Sequence, residues 1–255
     1  MSIDAIITQL EEIVEENKTT ASPNGYFAAL YLRVTRRVKQ GIEQSEFEDP
    51  ARMERLDVIF AQRYLNAYRQ NKDVGLQSDT PPNFPTASWQ AAFDNAANRK
   101  LIILQHLLLG MNAHINLDLG IAAKQTAPED IHSLKSDFMK INAILGEMID
   151  DTQRRLTRFF SAFGLIDHLL GRKDEKLALF SLQYARDKAW QQALELAHTK
   201  SPDHESQLIS ERDQAIASFA QKIAHPPLFL ARLLLAFVRL CEKQTIPQRI
   251  QTLAQ

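Results

Sequence analysis

The positions of the prolines constrain this chain more than any other feature of its sequence. The ten prolines stand at Pro23, Pro50, Pro81, Pro82, Pro85, Pro128, Pro202, Pro226, Pro227 and Pro247. Proline is tolerated in the first turn of a helix but excluded from its interior. The segments between these prolines have a helical hydrophobic period rather than strict alternation. The sequence therefore predicts an all-α protein.

Local capping signals sharpen this interpretation. Asp49-Pro50 and Ser201-Pro202 each have the pattern of an N-cap followed by the first helical residue, and Thr126-Ala127-Pro128-Glu129 fits a capping box. We predict helices near 3–18, 24–44, 50–72, 87–97, 98–124, 127–163, 174–200, 202–224 and 227–243, a long loop over 73–85 and a short helical turn over 165–170. With no linker between halves, the expectation is a single-domain bundle of about eight helices over residues 1–255, with a buried central helix near 98–124.

Composition and spacing exclude several classes of protein. Lys and Arg number 30 against 31 Asp and Glu, so the net charge of -1 gives no electrostatic reason to expect nucleic acid or an anionic membrane as a partner. The eight glycines are too widely spaced for a Rossmann or P-loop phosphate cradle. A lone Cys241 excludes an internal disulfide and a cysteine-based zinc cluster.

No segment predicts secretion or a membrane span. Met1-Ser2-Ile3-Asp4 lacks a basic leader, and four glutamates follow closely. No apolar run is long enough to cross a bilayer. We therefore expect a cytoplasmic protein.

The segment 101–118 is the most informative stretch. It is uncharged except for Asp118 and apolar on every side, which is typical of a helix buried among neighbours. Yet it holds six polar residues, which are Gln105, His106, Asn112, His114, Asn116 and Asp118. At 100° per residue they form two stripes on roughly opposite sides, with the two histidines and Asp118 in one and the three amides in the other.

These polar groups need partners if the helix is buried. Each buried polar group left unpaired costs about 1–3 kcal/mol, against a net stability of about 5–15 kcal/mol. His114 and Asp118 lie one turn apart, a spacing that permits joint metal coordination or a carboxylate that orients an imidazole. His106 lies about 12 Å from His114 along the axis, so the two histidines do not readily share one ion.

Two other charged residues stand on apolar helix faces. Asp57 shares a face with Met53, Phe60, Tyr64 and Tyr68. Beside an arginine it would form a buried ion pair, the favoured interpretation; alone, its pKa would rise. Arg186 lies in a stripe with Leu182 and Trp190 and needs either a carboxylate or a bound anion. The candidate carboxylates for Arg186 are Asp57, Asp118 and Asp137.

The string Gln105-His-Leu-Leu-Leu-Gly-Met-Asn-Ala-His-Ile-Asn-Leu-Asp118 resembles the signature of an uncharacterised bacterial family of mostly helical proteins, DUF5995. Shorter matches accompany it over about residues 25–240, at Leu56-Asp57 with Tyr64-Leu65, Trp89 with Ala92-Phe93, Asp137-Phe138 with Asn142, and Ala185-Arg186 with Ala189-Trp190. The resemblance implies a helical fold and a bacterial origin, but no activity or substrate.

These patterns lead to a hypothesis of an interior polar pocket around the 98–124 helix. The pocket would bind a divalent metal ion or a small polar or anionic ligand, with metal-dependent hydrolysis as one chemistry open to it. His114 and Asp118 would be metal ligands or a base and its orienting carboxylate, with Asp57 as a further ligand.

The remaining candidates have assigned places in this hypothesis. Arg186 would hold an anionic group, Asn112, Asn116 and Tyr64 would position substrate, and His106 would belong to a second position. Two alternatives stay open: a non-enzymatic interaction protein whose polar network is purely structural, and a lipid- or hydrophobe-binding protein using the apolar segment 228–241.

Overall fold

The computed structural model describes residues 1–73, 84–157 and 173–255, and helices dominate all three ranges. They are α1 (Ile3–Thr19), α2 (Asn24–Glu43), α3 (Pro50–Asp73), α4 (Ala87–Asp94), α5 (Ile103–Ala113), α6 (Leu119–Thr126), α7 (Lys135–Thr157), α8 (Lys173–His198), α9 (Pro202–Ala224), α10 (Phe229–Cys241) and α11 (Ile246–Ala254). A π-helical turn, His114–Asp118, joins α5 to α6, and the three form one continuous central helix. Counted so, the described ranges hold ten helices and no strand, which confirms the all-α prediction.

Most predicted helix boundaries lie within a few residues of the observed ones. Asp49 accepts the main-chain N–H of Arg52 at 2.9 Å, and Ser201 accepts that of His204, so both predicted N-caps are confirmed. The predicted capping box at Thr126 is wrong. The Thr126 hydroxyl donates to the carbonyl of Ala122, and the preceding helix α6 extends as far as Thr126.

One other predicted boundary differs from the structure, one helix was not predicted, and three predictions lie at least partly outside the described residues. The central helix begins at Ile103 rather than at residue 98, after a short 3₁₀ turn over Asn95–Ala97. The C-terminal helix α11 was not predicted. The predicted turn over 165–170, most of the loop over 73–85 and the end of the 127–163 helix fall outside the described residues.

The central helix contacts different neighbours along its length. Leu107 and Ala113 pack in a core with α1, α2, α3 and α11. Leu119 and Ala122 belong to a second core, in which Phe138 of α7 and Trp190 of α8 meet. On other sides, Leu109 packs near Ala220 of α9 and Leu117 near Ile216 of the same helix. The prediction of a buried central helix is confirmed, although Leu104 and Leu108 face solvent.

Helix lengths and compositions also bear on membrane insertion. Among the helices of the described ranges, none alone has the length and apolarity needed to cross a bilayer. Taken together, α9 and α10 reach that length and composition, but they are bent by 67° at the break between them.

Candidate functional site

The candidate site is centred on the π-helical turn of the central helix. His114 opens this turn and Asp118 closes it, and both side chains are almost fully buried. Nδ1 of His114 lies 3.2 Å from Oδ2 of Asp118. Single π turns inside α-helices are frequent at functional sites, because the extra residue redirects side chains.

Asp118 is held by two donors from other helices. Nε of Arg63 on α3 donates to Oδ1 at 2.7 Å, and the indole Nε1 of Trp89 on α4 donates to Oδ2 at 2.8 Å. Burial by itself would raise the pKa of Asp118, but the His114 hydrogen bond, the Arg63 charge and the indole N–H together hold that pKa below its usual value. Asp118 is therefore an ionised acceptor with its lone pairs largely occupied.

This arrangement determines the protonation of His114. Burial lowers the pKa of the imidazole, and the opposing effect of Asp118 does not restore it. The ring is thus neutral near pH 7. Since an ionised carboxylate can only accept, the proton of His114 is on Nδ1 and the lone pair is on Nε2. Nε2 is buried and has no hydrogen-bond partner among the described residues.

Five aromatic rings surround the imidazole. Phe60 stacks on it with ring centroids 3.6 Å apart, and Tyr31 meets it edge-on at 4.5 Å. The other three rings are those of Phe27, Trp89 and Tyr64, at 5.7, 5.8 and 6.2 Å. These rings exclude water and lock the orientation of His114.

Four more buried polar atoms near this ring have no hydrogen-bond partner among the described residues. They are the hydroxyl oxygens of Tyr31, Thr35 and Tyr64 and Oδ2 of Asp57. We call these four residues and His114 the His114 cluster.

Tyr31 connects the members of the His114 cluster. Burial first, and then the charges of Asp57 and Asp118, raise the pKa of its phenol well above the usual value. The Thr35 hydroxyl lies close enough to oppose that shift, although the two hydroxyls do not reach hydrogen-bond geometry. Both carboxylates therefore lie within electrostatic range of the phenol that borders His114.

Asp57 does not form the buried ion pair that the sequence favoured. No arginine or lysine of the described residues pairs with its carboxylate, so burial, helped by the nearby charge of Glu54, raises its pKa to about 7. This is the outcome expected for a lone carboxylate on an apolar face. Asp57 can therefore be either a donor or an acceptor near neutral pH.

A small cavity adjoins the cluster. It has a volume of about 20 Å³ and is lined in part by Tyr64, Trp89, Phe27, Gly110 and His106. Such a volume holds about one water, far less than the few hundred Å³ of a ligand pocket. His106 and Tyr64 thus line the same cavity, and burial lowers the pKa of His106 to about 4.

The amide stripe of the central helix has a different role. Gln105 donates to the carbonyl of Ile223, and Asn112 to that of Ile216, so both tie the helix to α9. Asn116 donates to Asn112 at 2.9 Å. The structure therefore does not bring Asn112 and Asn116 to the His114 cluster, and their contacts are those of helix packing.

Arg186 also lies apart from the cluster. Its guanidinium donates to the side chain of Asn142 and to the carbonyl of Phe138, and its Cζ lies 4.6 Å from the Phe138 ring centroid. The prediction that Arg186 pairs with Asp57, Asp118 or Asp137 is therefore wrong. Asp137 instead accepts the main-chain N–H groups of Glu48 and Asp49, as well as Arg52.

The donor set does not fit the predicted metal ion. Within residues 1–73, 84–157 and 173–255, no three His, Cys, Asp or Glu side chains come together as a metal site requires. His114, Asp118 and Asp57 therefore do not form such a group. Asp118 already receives Arg63, Trp89 and His114, which leaves it poorly suited to bind an ion. The other predicted role, a base and its orienting carboxylate, agrees with this geometry.

Several residues of the site were not predicted. Arg63 and Trp89 hold Asp118, and Tyr31 and Thr35 contribute unpartnered hydroxyls. Trp89 was noted only in the family resemblance. The spacing of Phe27, Tyr31 and Thr35 at every fourth residue places them on one helix face, and this is the signal that could have identified them.

Comparison with known proteins gives a family match and adds no chemistry. A family model described as a family of unknown function (DUF5995) matches residues 3–226. No curated protein and no solved structure matches the chain.

Proposed function

Since the chain belongs to the DUF5995 family, whose description assigns no activity, we propose from the site alone that it binds a small, neutral, polar ligand at the His114 cluster. His114 would accept a proton from that ligand. The observation that carries this proposal is the buried, unpartnered Nε2 of an imidazole whose other nitrogen is fixed by Asp118.

The energetics of the cluster support a ligand. The buried Nε2 of His114 and the buried hydroxyl of Tyr64, which have no partner among the described residues, each cost about 1–3 kcal/mol when nothing binds them. A ligand that both donates and accepts hydrogen bonds would offset this cost, since Nε2 accepts and the three hydroxyls can do either.

The charges of the cluster indicate a neutral ligand. Asp118 is already compensated by Arg63, and His114 is neutral. A further charge in this aromatic surrounding would have no counter-charge except Asp57, whose raised pKa shows how poorly the site tolerates ionisation. The adjoining cavity holds about one water and is not lined by His114, so a ligand of several non-hydrogen atoms requires the helices around the His114 cluster to move apart.

The chemistry available to this pair is general base catalysis. Nε2 of His114 would take a proton from a bound hydroxyl group or water, and Asp118 would stabilise the imidazolium that forms. The oxygen that loses the proton keeps the electron pair of the O–H bond and would attack a carbonyl carbon; as the bond from that carbon to the leaving oxygen or nitrogen breaks, the imidazolium would return the proton to the leaving group. Hydrolysis of a small neutral ester or amide is the form of this chemistry closest to our sequence-based hypothesis.

The binding step can be tested by ¹⁵N NMR of the histidine rings. We expect ethylene glycol, acetamide and urea to shift the Nε2 resonance of His114 in a saturable way, and acetate and methylammonium to leave it unchanged. His132, an exposed histidine away from the central helix, is the internal control. The proposal fails if no neutral probe shifts His114 more than His132.

Catalysis needs its own measurement. Methyl acetate is a suitable small neutral ester, and its hydrolysis should be abolished by His114→Gln but retained by His132→Gln, at an exposed histidine. Equal rates in the two variants would exclude His114 as the base.

A structural role is the second candidate, and the amide stripe favours it. Gln105 and Asn112 are each tied to a backbone carbonyl of α9, as a purely architectural network requires. If His114→Gln and Asp57→Asn destabilise the protein and no probe binds the wild type, this alternative explains the site.

A further inference from the structure

Helix α10 turns a continuous face of large apolar side chains towards solvent. Its seven members are 38% to 85% exposed, and they are Leu228, Phe229, Leu230, Leu233, Leu234, Phe237 and Leu240. At 100° per residue the six within the helix occupy an arc of about 140°. We call this set the α10 face.

Contact between α10 and the core is narrow. Val238 is buried in the first core, about 40° beyond the margin of the α10 face, and Leu235, on the opposite side, packs against that core. An amphipathic helix normally turns its apolar stripe inward, and contiguous exposed apolar patches mark interaction sites. The orientation of α10 therefore indicates a binding surface rather than a part of the core.

The charges around the α10 face have one sign. Arg232 and Arg239 lie about 60° and 80° beyond one margin of the α10 face, and Arg239 pairs with the buried Glu242, while Lys222 and Lys243 lie just before and after the helix in the chain. Residues 214–241 contain no aspartate or glutamate. The first acidic residue after the helix, Glu242, has a fully buried carboxylate that pairs with Arg239 and Arg249.

From this geometry we propose that α10 binds an anionic membrane surface, with its apolar face in the lipid and its basic edge at the headgroups. A helix with Phe and Leu on one face and only arginine as its charged residue is typical of interfacial binding. At 13 residues, α10 is about 20 Å long, too short to span a hydrocarbon core of about 30 Å.

A second copy of the chain fits this face less well. In a two-fold dimer the same surface meets itself, so the basic edges of both copies would approach without an acidic counterpart.

The near-zero net charge of the chain does not oppose lipid binding, because it is a sum over the whole molecule and the basic residues here are local.

The test uses the full chain and sedimentation with vesicles. One set contains phosphatidylcholine alone, and the other an equal mixture of phosphatidylcholine and phosphatidylglycerol. We expect preferential binding to the anionic vesicles that weakens in high salt. A Leu233→Ser/Phe237→Ser double variant should lower the partition coefficient by about 100-fold, about tenfold for each side chain.

Matched variants separate the two contributions. Lys222→Gln/Lys243→Gln should weaken binding by about fivefold for each charge, and only to the anionic vesicles. Tyr184→Ser removes an exposed aromatic residue of α8 and should change nothing.

Three results would overturn the proposal. The first is no binding to either vesicle set, and the second is binding that the Leu233→Ser/Phe237→Ser variant retains. The third is a wild-type protein that does not bind vesicles and is a dimer by light scattering, together with a monomeric Leu233→Ser/Phe237→Ser variant.

Discussion

Replacing Asp57 by Asn should change how the stability of this protein depends on pH. The wild-type carboxyl has an ordinary pKa of 3.8 when exposed and of about 7 in the folded protein, where burial is the main cause. Between these pH values the folded chain keeps a proton that the unfolded chain has released. The free energy of unfolding therefore falls as pH rises from about 4 to about 7.

The size of the effect follows from the shift. Each pKa unit corresponds to about 1.4 kcal/mol, so the wild type loses about 4 kcal/mol from this group across the interval. Asparagine has nearly the same shape and never ionises. The unfolding free energy of Asp57→Asn minus that of the wild type should thus rise by about 4 kcal/mol between pH 4 and 8.

Urea denaturation at a series of pH values measures this difference. Trp89 and Trp190 are both buried and supply the fluorescence signal. Because other titrating groups act on both proteins, their contributions cancel in the difference. Glu12→Gln, at an exposed carboxylate of α1, is the control and should give a flat difference. A flat difference for Asp57→Asn as well would refute the argument that burial raises the pKa of this carboxyl.

Three further predictions follow from single contacts. Trp89→Phe removes the indole donor of Asp118 and should lower the unfolding free energy by about 1–3 kcal/mol; an unchanged value would mean that this bond is dispensable. Gly110→Ala places a Cβ 2.5 Å from the Phe27 ring and should lower the unfolding free energy by about 1–3 kcal/mol. Thermal melts measure this, and an unchanged melting temperature would contradict the prediction. Since burial lowers the pKa of His106 to about 4, the wild type should lose about 3 kcal/mol as pH falls from 6.5 to 4. His106→Phe should remove that loss. If urea denaturation shows that the unfolding free energy of this variant falls between pH 6.5 and 4 as much as that of the wild type, the assignment to His106 is wrong.

The burial of the central helix could be predicted because it depends on composition. A helix with a single charge at its end and apolar residues on all sides has no face suited to water. The angular separation of the two polar stripes was also readable, since the helical period is local geometry. The structure places the amides against α9 and His114 among aromatic rings, on different sides of the helix.

The partners of the charged residues could not be predicted in this way. Arg186 was expected to find a carboxylate, but it meets neutral oxygens of α7 and an aromatic ring. Asp118 was expected to bind a metal ion or to orient His114; it does contact His114, but it also receives Arg63 from α3, which was not predicted. In both cases the partner is more than forty residues away in the chain. Its identity depends on how the helices pack.

Proline positions, capping residues and hydrophobic period act over a few residues, so the sequence alone was enough to predict helices and their approximate limits. The His114 cluster and the outward turn of α10 depend on contacts between helices that are distant in the chain. The raised pKa of Asp57 and the free lone pair of His114 arise because packing buries both groups and, within the described part of the chain, brings no donor or cation to them. Those properties belong to the assembled fold, since burial and neighbouring charge arise only when separate helices come together.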